Sequence, residues 1–337
     1  MKSILKMAWR NVVKNWRHSL AAMLSIAAGF VALGLFAGYM ADLELVYADG
    51  FSSRAMLAEV IVEKKGASEN GREEPWKYLL GPAEQAFLEE MLASEGAAVV
   101  TRVRFLNVSG LISNGKTSSV FVGYGYDAAE GAIVRAPNWV ENAVAGKPLQ
   151  DAGEDAVVTG KGLGLALDCE ILPPYSGTAK GAARPFACKR KRVQLSATTE
   201  TGQLNAIEPE LAGMIDVGLK EVDGRYAVMP LELAQQLLNT RAVSSYSIKL
   251  AEPTTIDAFS ARLRAAAAGR HLDLDVSRWQ DHPRHGRLYR QATSILGVFR
   301  NFVTVVVMAV ALLSVMNTLI KSVSERTREI GTLRSLG

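Results

Sequence analysis

The chain has 337 residues, of which 49% are hydrophobic and 21% are charged, and its formal net charge is +4. A chain of this length and apolar content can bury a sizeable core, which argues against an intrinsically disordered protein. The charges are unevenly placed, since residues 42–299 carry 28 Lys and Arg against 32 Asp and Glu. A mildly acidic middle region predicts no nucleic-acid partner, because neutralising phosphates requires clustered bases.

Residues 1–18 form a basic amphipathic segment with five bases and no acid. The bases fall on one side of a predicted helix, and apolar residues including Trp9 and Trp16 fill the other side. Such a helix lies in the membrane interface with its tryptophans at headgroup depth. The pattern therefore predicts an N-terminal interfacial helix over residues 1–18 and membrane lipid as a partner.

A stretch without charge runs from Ser19 to Met40. It exceeds the 7–15 apolar residues of a signal-peptide core and lacks a good cleavage site, which predicts a retained transmembrane helix over residues 19–41. Gly34 and Gly38 form a GxxxG pattern, which is a weak indication of close approach by another helix.

Residues 42–290 have the pattern of a large α+β domain. EVIVEKK alternates like a strand, GPAEQAFLEEMLAS starts a helix with Pro82 in its first turn, and AAVVTRVRFLNVSGLIS returns as strand. Near the far end SSYSIKL, TTIDAFSARLRAAAAG and RHLDLDVSRW repeat this order. Two βαβ-like units therefore bracket a middle that is richer in glycine and short strands.

The segment Gly110–Thr117, GLISNGKT, satisfies the P-loop expression G-x-x-x-x-G-K-[ST]. A phosphate site needs a strand before this loop and a helix after it, but alternating residues follow here instead. Asn114-Gly115 between two alternating runs predicts a β-hairpin turn.

Cys169 and Cys188 are the two cysteines of the chain. An even count in an oxidising compartment favours one disulfide. Two alternatives stay open: free buried thiols, or a metal site shared with His282 and His285. The cysteine spacing fits no standard zinc pattern, so no metal is predicted.

Trp279, His282 and His285 precede a second hydrophobic stretch, among Arg284, Arg287 and Arg290. We interpret this group as an interfacial anchor. The stretch itself is free of charge from Asn301 to Ile320, and it predicts a second transmembrane helix over residues 291–320. By the positive-inside rule both ends of the chain face the cytoplasm, and residues 42–290 lie outside it.

The segment after this helix, residues 321–337, reads KSVSERTREIGTLRSLG. Ser322 and Glu325 have capping-box spacing, which predicts a short charged helix. The order of residues resembles the cytoplasmic coupling segment of ABC-transporter permeases of the MacB, FtsX and LolC/LolE type, E-R-x-x-E-I-G-x-L-R-x-x-G. The matching positions are Glu325, Arg326, Glu329, Ile330, Gly331, Leu333, Arg334 and Gly337.

The resemblance implies a multi-pass permease of the inner, cytoplasmic membrane, in which the coupling segment contacts a separate cytoplasmic ATPase subunit. It also implies a dimer with a second copy or a homologous permease, no enzymatic activity and no cofactor in this chain, and an outer domain with an insert at about residues 135–245. The resemblance further implies a cargo of lipoprotein, lipid, peptide or drug, among which the sequence does not choose. Two more membrane helices follow the segment in that family, so we expect the sequence to be truncated after the second transmembrane helix.

Two other functions are compatible with parts of the sequence. A two-span sensor also places a folded ligand domain between its membrane helices, but it continues into heptads, whereas Gly331 and Gly337 here bracket a predicted short helix. A membrane-anchored NTPase depends on GLISNGKT and places it on the side of the membrane without ATP. The permease interpretation is therefore preferred.

Overall fold

The structure is a computed structural model that describes residues 16–71, 73–139, 143–174, 183–218 and 220–335. The chain divides into two compact units. One comprises Met1–Tyr47 and Arg290–Gly337, and the other comprises Ala48–Tyr289. Residues 1–15 of the predicted interfacial helix and Gly337 lie outside the described residues.

The helices and strands are numbered in chain order. The helices are α1 (Trp16–Asp49), α2 (Ala67–Asn70), α3 (Pro82–Glu95), α4 (Ala128–Arg135), α5 (Lys161–Ala166), α6 (Lys220–Asp223), α7 (Leu231–Leu238), α8 (Ile256–Gly269) and α9 (His285–Ser335). The strands are β1 (Val60–Lys64), β2 (Val99–Ser113), β3 (Ser118–Tyr126), β4 (Ala143–Gly146), β5 (Ala156–Gly160), β6 (Cys169–Ile171), β7 (Phe186–Cys188), β8 (Gln194–Thr198), β9 (Leu204–Ile207), β10 (Glu210–Ile215), β11 (Tyr226–Pro230), β12 (Ser245–Leu250) and β13 (Leu274–Arg278).

One mixed sheet organises the unit Ala48–Tyr289. Its strands follow the order β13-β1-β12-β2-β3-β11-β5-β10-β4, and β8 and β9 extend from β2. Strand β1 pairs antiparallel with β12 on one side and with β13 on the other. The strands that begin and end the domain in sequence are therefore neighbours in the sheet.

The main core lies between this sheet and the helices α3, α7 and α8. Alternate residues of the strands point into it, among them Val62, Leu106 and Ile248, while Leu88 and Leu263 cover them from the helices. All five side chains are fully buried. At about 25 cal/mol per Å² of apolar surface removed from water, this burial is the main stabilising term of the domain. The predicted strand–helix–strand units at both ends of the domain are confirmed.

The middle of the chain joins the same sheet through a parallel pairing of β11 with β3. Strands β5 and β10 are also parallel, and β4 closes this end as an antiparallel edge strand. Strands β6 and β7 form a separate two-stranded ribbon. The glycine-rich middle therefore contributes strands to the main sheet instead of folding as loops.

The unit formed by Met1–Tyr47 and Arg290–Gly337 contains two helical stretches long and apolar enough to cross a membrane, within Ile26–Arg54 and His285–Lys321. Large apolar side chains point outward, such as Phe30 at 78% exposure and Leu35 at 72%, as a lipid-facing surface requires. Phe36 and Phe299 meet edge to face, with ring centroids 6.1 Å apart. The predicted fold class, two apolar helices with a large mixed α/β domain, is confirmed.

Candidate functional site

The eight positions that resemble the coupling segment are called the coupling positions below, and the seven of them that the structure describes lie at the end of helix α9. Ile330 is 58% exposed, Arg334 is exposed, and a Cβ added to Gly331 would meet nothing within 4 Å. The backbone of Glu325, Arg326, Glu329 and Leu333 is helical, and Gly337 lies outside the described residues. An apolar residue, a bare glycine backbone and a base are thus open on one helix end, which suits contact with another protein.

The prediction of a short separate helix after the membrane span was wrong. Helix α9 runs without a break from His285 to Ser335, so Ser322 caps no helix start. Gly331 lies inside the helix, because one glycine costs only about 1 kcal/mol there and neighbouring turns supply the hydrogen bonds. The position of Gly331 therefore does not distinguish this chain from a two-span sensor.

Two links connect the long helices to the sheet: residues 50–59 between α1 and β1, and residues 279–284 between β13 and α9. After α1 the chain forms a π-helical turn, Gly50–Arg54, and then reaches β1 through Met56 and Ala58, whose φ angles are 58° and 52°. Left-handed backbone at a residue with a Cβ costs about 1–3 kcal/mol and persists where packing enforces it. Met56 and Ala58 are both 1% exposed, so the surrounding domain holds this link in place.

An aromatic cluster joins the two links. Phe51, from the first link, stacks on Trp279, which follows β13, with ring centroids 5.6 Å apart. Tyr289 packs against both rings, at 6.0 Å and 4.7 Å. Leu57 and Ile61 complete this cluster, and Trp279 is only 2% exposed. Contacts of this kind stabilise by about 0.5–1.5 kcal/mol per aromatic pair beyond simple burial.

The predicted interfacial anchor is wrong for Trp279 and His282, because both are buried in the domain. His282 is fully buried, and its Nε2 lies 3.2 Å from Oε1 of Glu63 on β1. Its Nδ1 accepts the backbone N–H groups of Arg284 at 3.2 Å and His285 at 3.1 Å. Nη2 of Arg284 in turn donates to the carbonyls of Ala67 and Ser68, at 3.0 Å and 3.1 Å.

The environment of Glu63 favours its charged form. Burial by itself raises the pKa of a carboxyl group, but the contacts with His282 and Ser68 and the charge of Arg284 outweigh this effect. The pKa of Glu63 is consequently lower than its ordinary value. Glu63 also borders a cavity of about 410 Å³ whose walls include Trp76, Phe105 and Ser247.

The P-loop lookalike is a hairpin turn, as predicted. Strands β2 and β3 pair antiparallel up to Ser113 and Ser118, and Gly115 has a φ of 85°. Asn114 Oδ1 accepts the N–H groups of Lys116 at 2.9 Å and Thr117 at 2.7 Å. A strand follows the loop, so the helix N-terminus that would bind phosphate is absent from this segment.

Cys169 and Cys188 face each other across the β6–β7 ribbon and form a disulfide. This geometry pairs the cysteines with each other and leaves neither for the histidines. Among the residues that the structure describes, no group of three His, Cys, Asp or Glu is placed to hold a metal ion.

A comparison with known protein families finds a match at the C-terminal end of the chain. Residues 301–337 match the family described as FtsX-like permease C-terminal. The predicted permease resemblance is confirmed. The matched residues include the charge-free part of α9 and all eight coupling positions.

Solved structures similar to the chain include two outer domains of transporters. The extracellular domain of the noncanonic ABC-type transporter YknZ from Gram-positive bacteria is 13% identical, with a TM-score of 0.41 over 65% of this chain and 98% of that one. The periplasmic region of MacB from Actinobacillus actinomycetemcomitans is 11% identical, with a TM-score of 0.40 over 65% of this chain and 88% of that one. No curated protein matches the sequence.

Local sequence patterns do not predict the contact between Glu63 and His282, because the two residues lie far apart in the chain. One local signal was available, since His282 precedes Pro283 and the first turn of a long helix. A side chain that accepts hydrogen bonds is common at such a place.

Proposed function

We propose that this chain is the permease subunit of an ABC transporter, in which ATP hydrolysis by a cytoplasmic partner subunit drives movement of an outer domain. The family match over residues 301–337 carries this proposal. The open end of helix α9 supports it, since Ile330 and Gly331 offer an apolar surface and a bare backbone to a partner.

In this proposal the ATPase contacts the eight matching positions of the coupling segment, which comprises residues 321–337, and motion passes along α9. The helix has 51 residues, which corresponds to about 75 Å at 1.5 Å per residue. The coupling segment and the residues next to the domain belong to this one helix, which is continuous from His285 to Ser335. Strand β13 leads into this helix through residues 279–284, and β13 pairs with β1.

The proposed topology assigns residues 19–41 and 291–320 to the membrane and residues 42–290 to the outside, with an insert at about 135–245. Both ends of the chain face the cytoplasm, since the bases cluster there. The location is the inner membrane, the assembly is a dimer with a second or homologous permease, and the cargo is lipoprotein, lipid, peptide or drug.

A charge reversal in the coupling segment tests the proposal. Glu329→Lys places like charge where the ATPase presents base, and such a mismatch costs several kcal/mol across an interface. Exposed ion pairs contribute only about 0–1 kcal/mol to stability, so membrane insertion and domain folding are expected to stay intact. The measurement is co-purification of the ATPase with the tagged chain from membranes, and we expect its loss.

Arg328→Glu is the matched control, because Arg328 is an exposed neighbour outside the coupling positions. It is expected to retain the ATPase. Gly331→Leu tests the same contact through shape, since a side chain there blocks a close approach of the backbone. Full retention of the ATPase by both Glu329→Lys and Gly331→Leu would show that this segment is only a solvated helix end.

A further inference from the structure

We infer that His282 is a positioning residue, which fastens the first turn of helix α9 to strand β1 through Glu63. The inference adds a role for specific domain residues to the proposed function and rests on it for the source of the motion. The supporting observation is that the side chain of His282 is buried and has contacts on both ring nitrogens.

The hydrogen bonds of His282 determine its tautomer. Nδ1 accepts two backbone N–H groups, from Arg284 and His285, so it carries no proton. The proton of the neutral imidazole is therefore on Nε2, which lies 3.2 Å from the Glu63 carboxylate. Neither Nε2 nor Oε1 of Glu63 has an aligned hydrogen-bond partner among the described residues, so the 3.2 Å approach of these two buried atoms is an electrostatic contact in which each compensates the other.

The two contacts of His282 join different elements. The Nδ1 side supplies an acceptor for N–H groups at the start of α9, where a helix leaves its first donors unpaired. The Nε2 side reaches β1, the strand that follows the first apolar helix and lies between β12 and β13. A displacement of the first turn of α9 consequently acts on β1, which lies next to the edge strand β13 of the main sheet.

Nearby contacts strengthen this connection. Arg284 donates to the carbonyls of Ala67 and Ser68, directly after β1, and Ser68 also contacts the Glu63 carboxylate. Gly286 N–H donates to the His282 carbonyl at 3.0 Å. The ring of His285 lies tilted against that of His282, with ring centroids 4.8 Å apart, and His285 is itself exposed. The side chain of His285 is therefore dispensable for the connection, while its backbone N–H is required.

The first test is independent of any transporter activity. The chain has four histidines, so ¹⁵N NMR of the histidine-labelled full chain in nanodiscs resolves His282 by comparison with His282→Gln. We expect the neutral Nε2–H tautomer at neutral pH. A protonated Nδ1, in either the other tautomer or the imidazolium, would overturn the inference.

The second test measures transmission in the assembled transporter, by hydrogen exchange of the β1 amides with and without ATP. We expect ATP to change β1 exchange in the wild type and in His285→Ala, and this change to be lost in His282→Ala while the ATPase still co-purifies. Glu63→Ala breaks the same contact from the strand and is expected to lose the response as well. Glu63→Gln keeps an acceptor for Nε2–H and is expected to restore it.

The outcomes separate this inference from the proposed function. An undiminished ATP response of β1 in His282→Ala or Glu63→Ala contradicts the positioning role, even when the permease assignment holds. Absence of any ATPase from the purified wild-type chain contradicts the proposed function, and the role in transmission falls with it. The tautomer measurement still decides the local contact in that case.

Discussion

Asn114 holds the turn between β2 and β3 with both ends of its side-chain amide. Its Oδ1 accepts two backbone N–H groups of the turn, and its Nδ2 donates to the carbonyl of Leu167 at 2.8 Å. The residue is 4% exposed, so water cannot replace these partners. A single polar side chain thus links the hairpin to the segment that precedes β6.

Two substitutions in this turn test its structural role separately from any role in nucleotide binding. Asn114→Ala leaves buried groups without partners, so it should lower the free energy of unfolding by about 1–3 kcal/mol. Lys116→Ala should leave stability, transport and ATP turnover unchanged, because Lys116 lies in a hairpin turn. Thermal unfolding and ATPase assays of the purified complex measure both effects. Loss of nucleotide binding in Lys116→Ala would contradict the hairpin interpretation.

Local residue patterns predicted the turn well, but they did not predict the polar contacts across the domain. Asn114-Gly115 between alternating strands specifies its own geometry, since the turn needs only neighbouring residues. The contact of His282 with Glu63 depends on the pairing of β1 and β13, which are at opposite ends of the domain sequence. For this reason the buried histidine looked like part of a surface anchor.

At the scale of elements, the β6–β7 ribbon carries the disulfide. The cysteines are 19 residues apart in sequence, and closing a loop of this size stabilises a fold by about 3 kcal/mol in the chain-entropy model. The ribbon itself is short, with three residues in each strand. The cross-link is therefore expected to be a main constraint on this part of the domain.

Mass spectrometry under non-reducing conditions should detect a peptide that links Cys169 to Cys188. Cys169→Ser should lower the free energy of unfolding by about 3 kcal/mol, and adding Cys188→Ser should have little further effect, because either change removes the same bond. Alkylation of both thiols in the native protein, without reductant, would exclude the disulfide.

Local sequence patterns predict some helices and strands of this chain better than others. The alternation in EVIVEKK and the proline-started helix at Pro82 correctly predicted β1 and α3. The end of α9 was predicted as a separate short helix because Ser322 and Gly331 have the residue types of helix boundaries. Neither residue ends the helix, since residue propensity is a weak constraint inside a long helix.

At the scale of the whole molecule, the distribution of charge predicts the direction of insertion. A phosphatase reporter that is active only outside the cytoplasm should be active when fused near residue 150, and inactive when fused near residue 335. The physical reason is that Lys and Arg beside the spans are retained on the cytoplasmic side. The reverse pattern of activity would invert the proposed topology.

The pairing of β1 with the last two strands of the domain also has a consequence for biosynthesis. Val60 pairs with Ile248 and with Arg278, so the first strand finds its partners only after nearly the whole domain has been made. Contacts between such distant parts of a chain fold slowly, because a long loop must close before they form. We expect nascent chains that end before residue 245 to be sensitive to protease and to occupy chaperones, and resistance to appear only once residue 278 has left the ribosome and crossed the membrane.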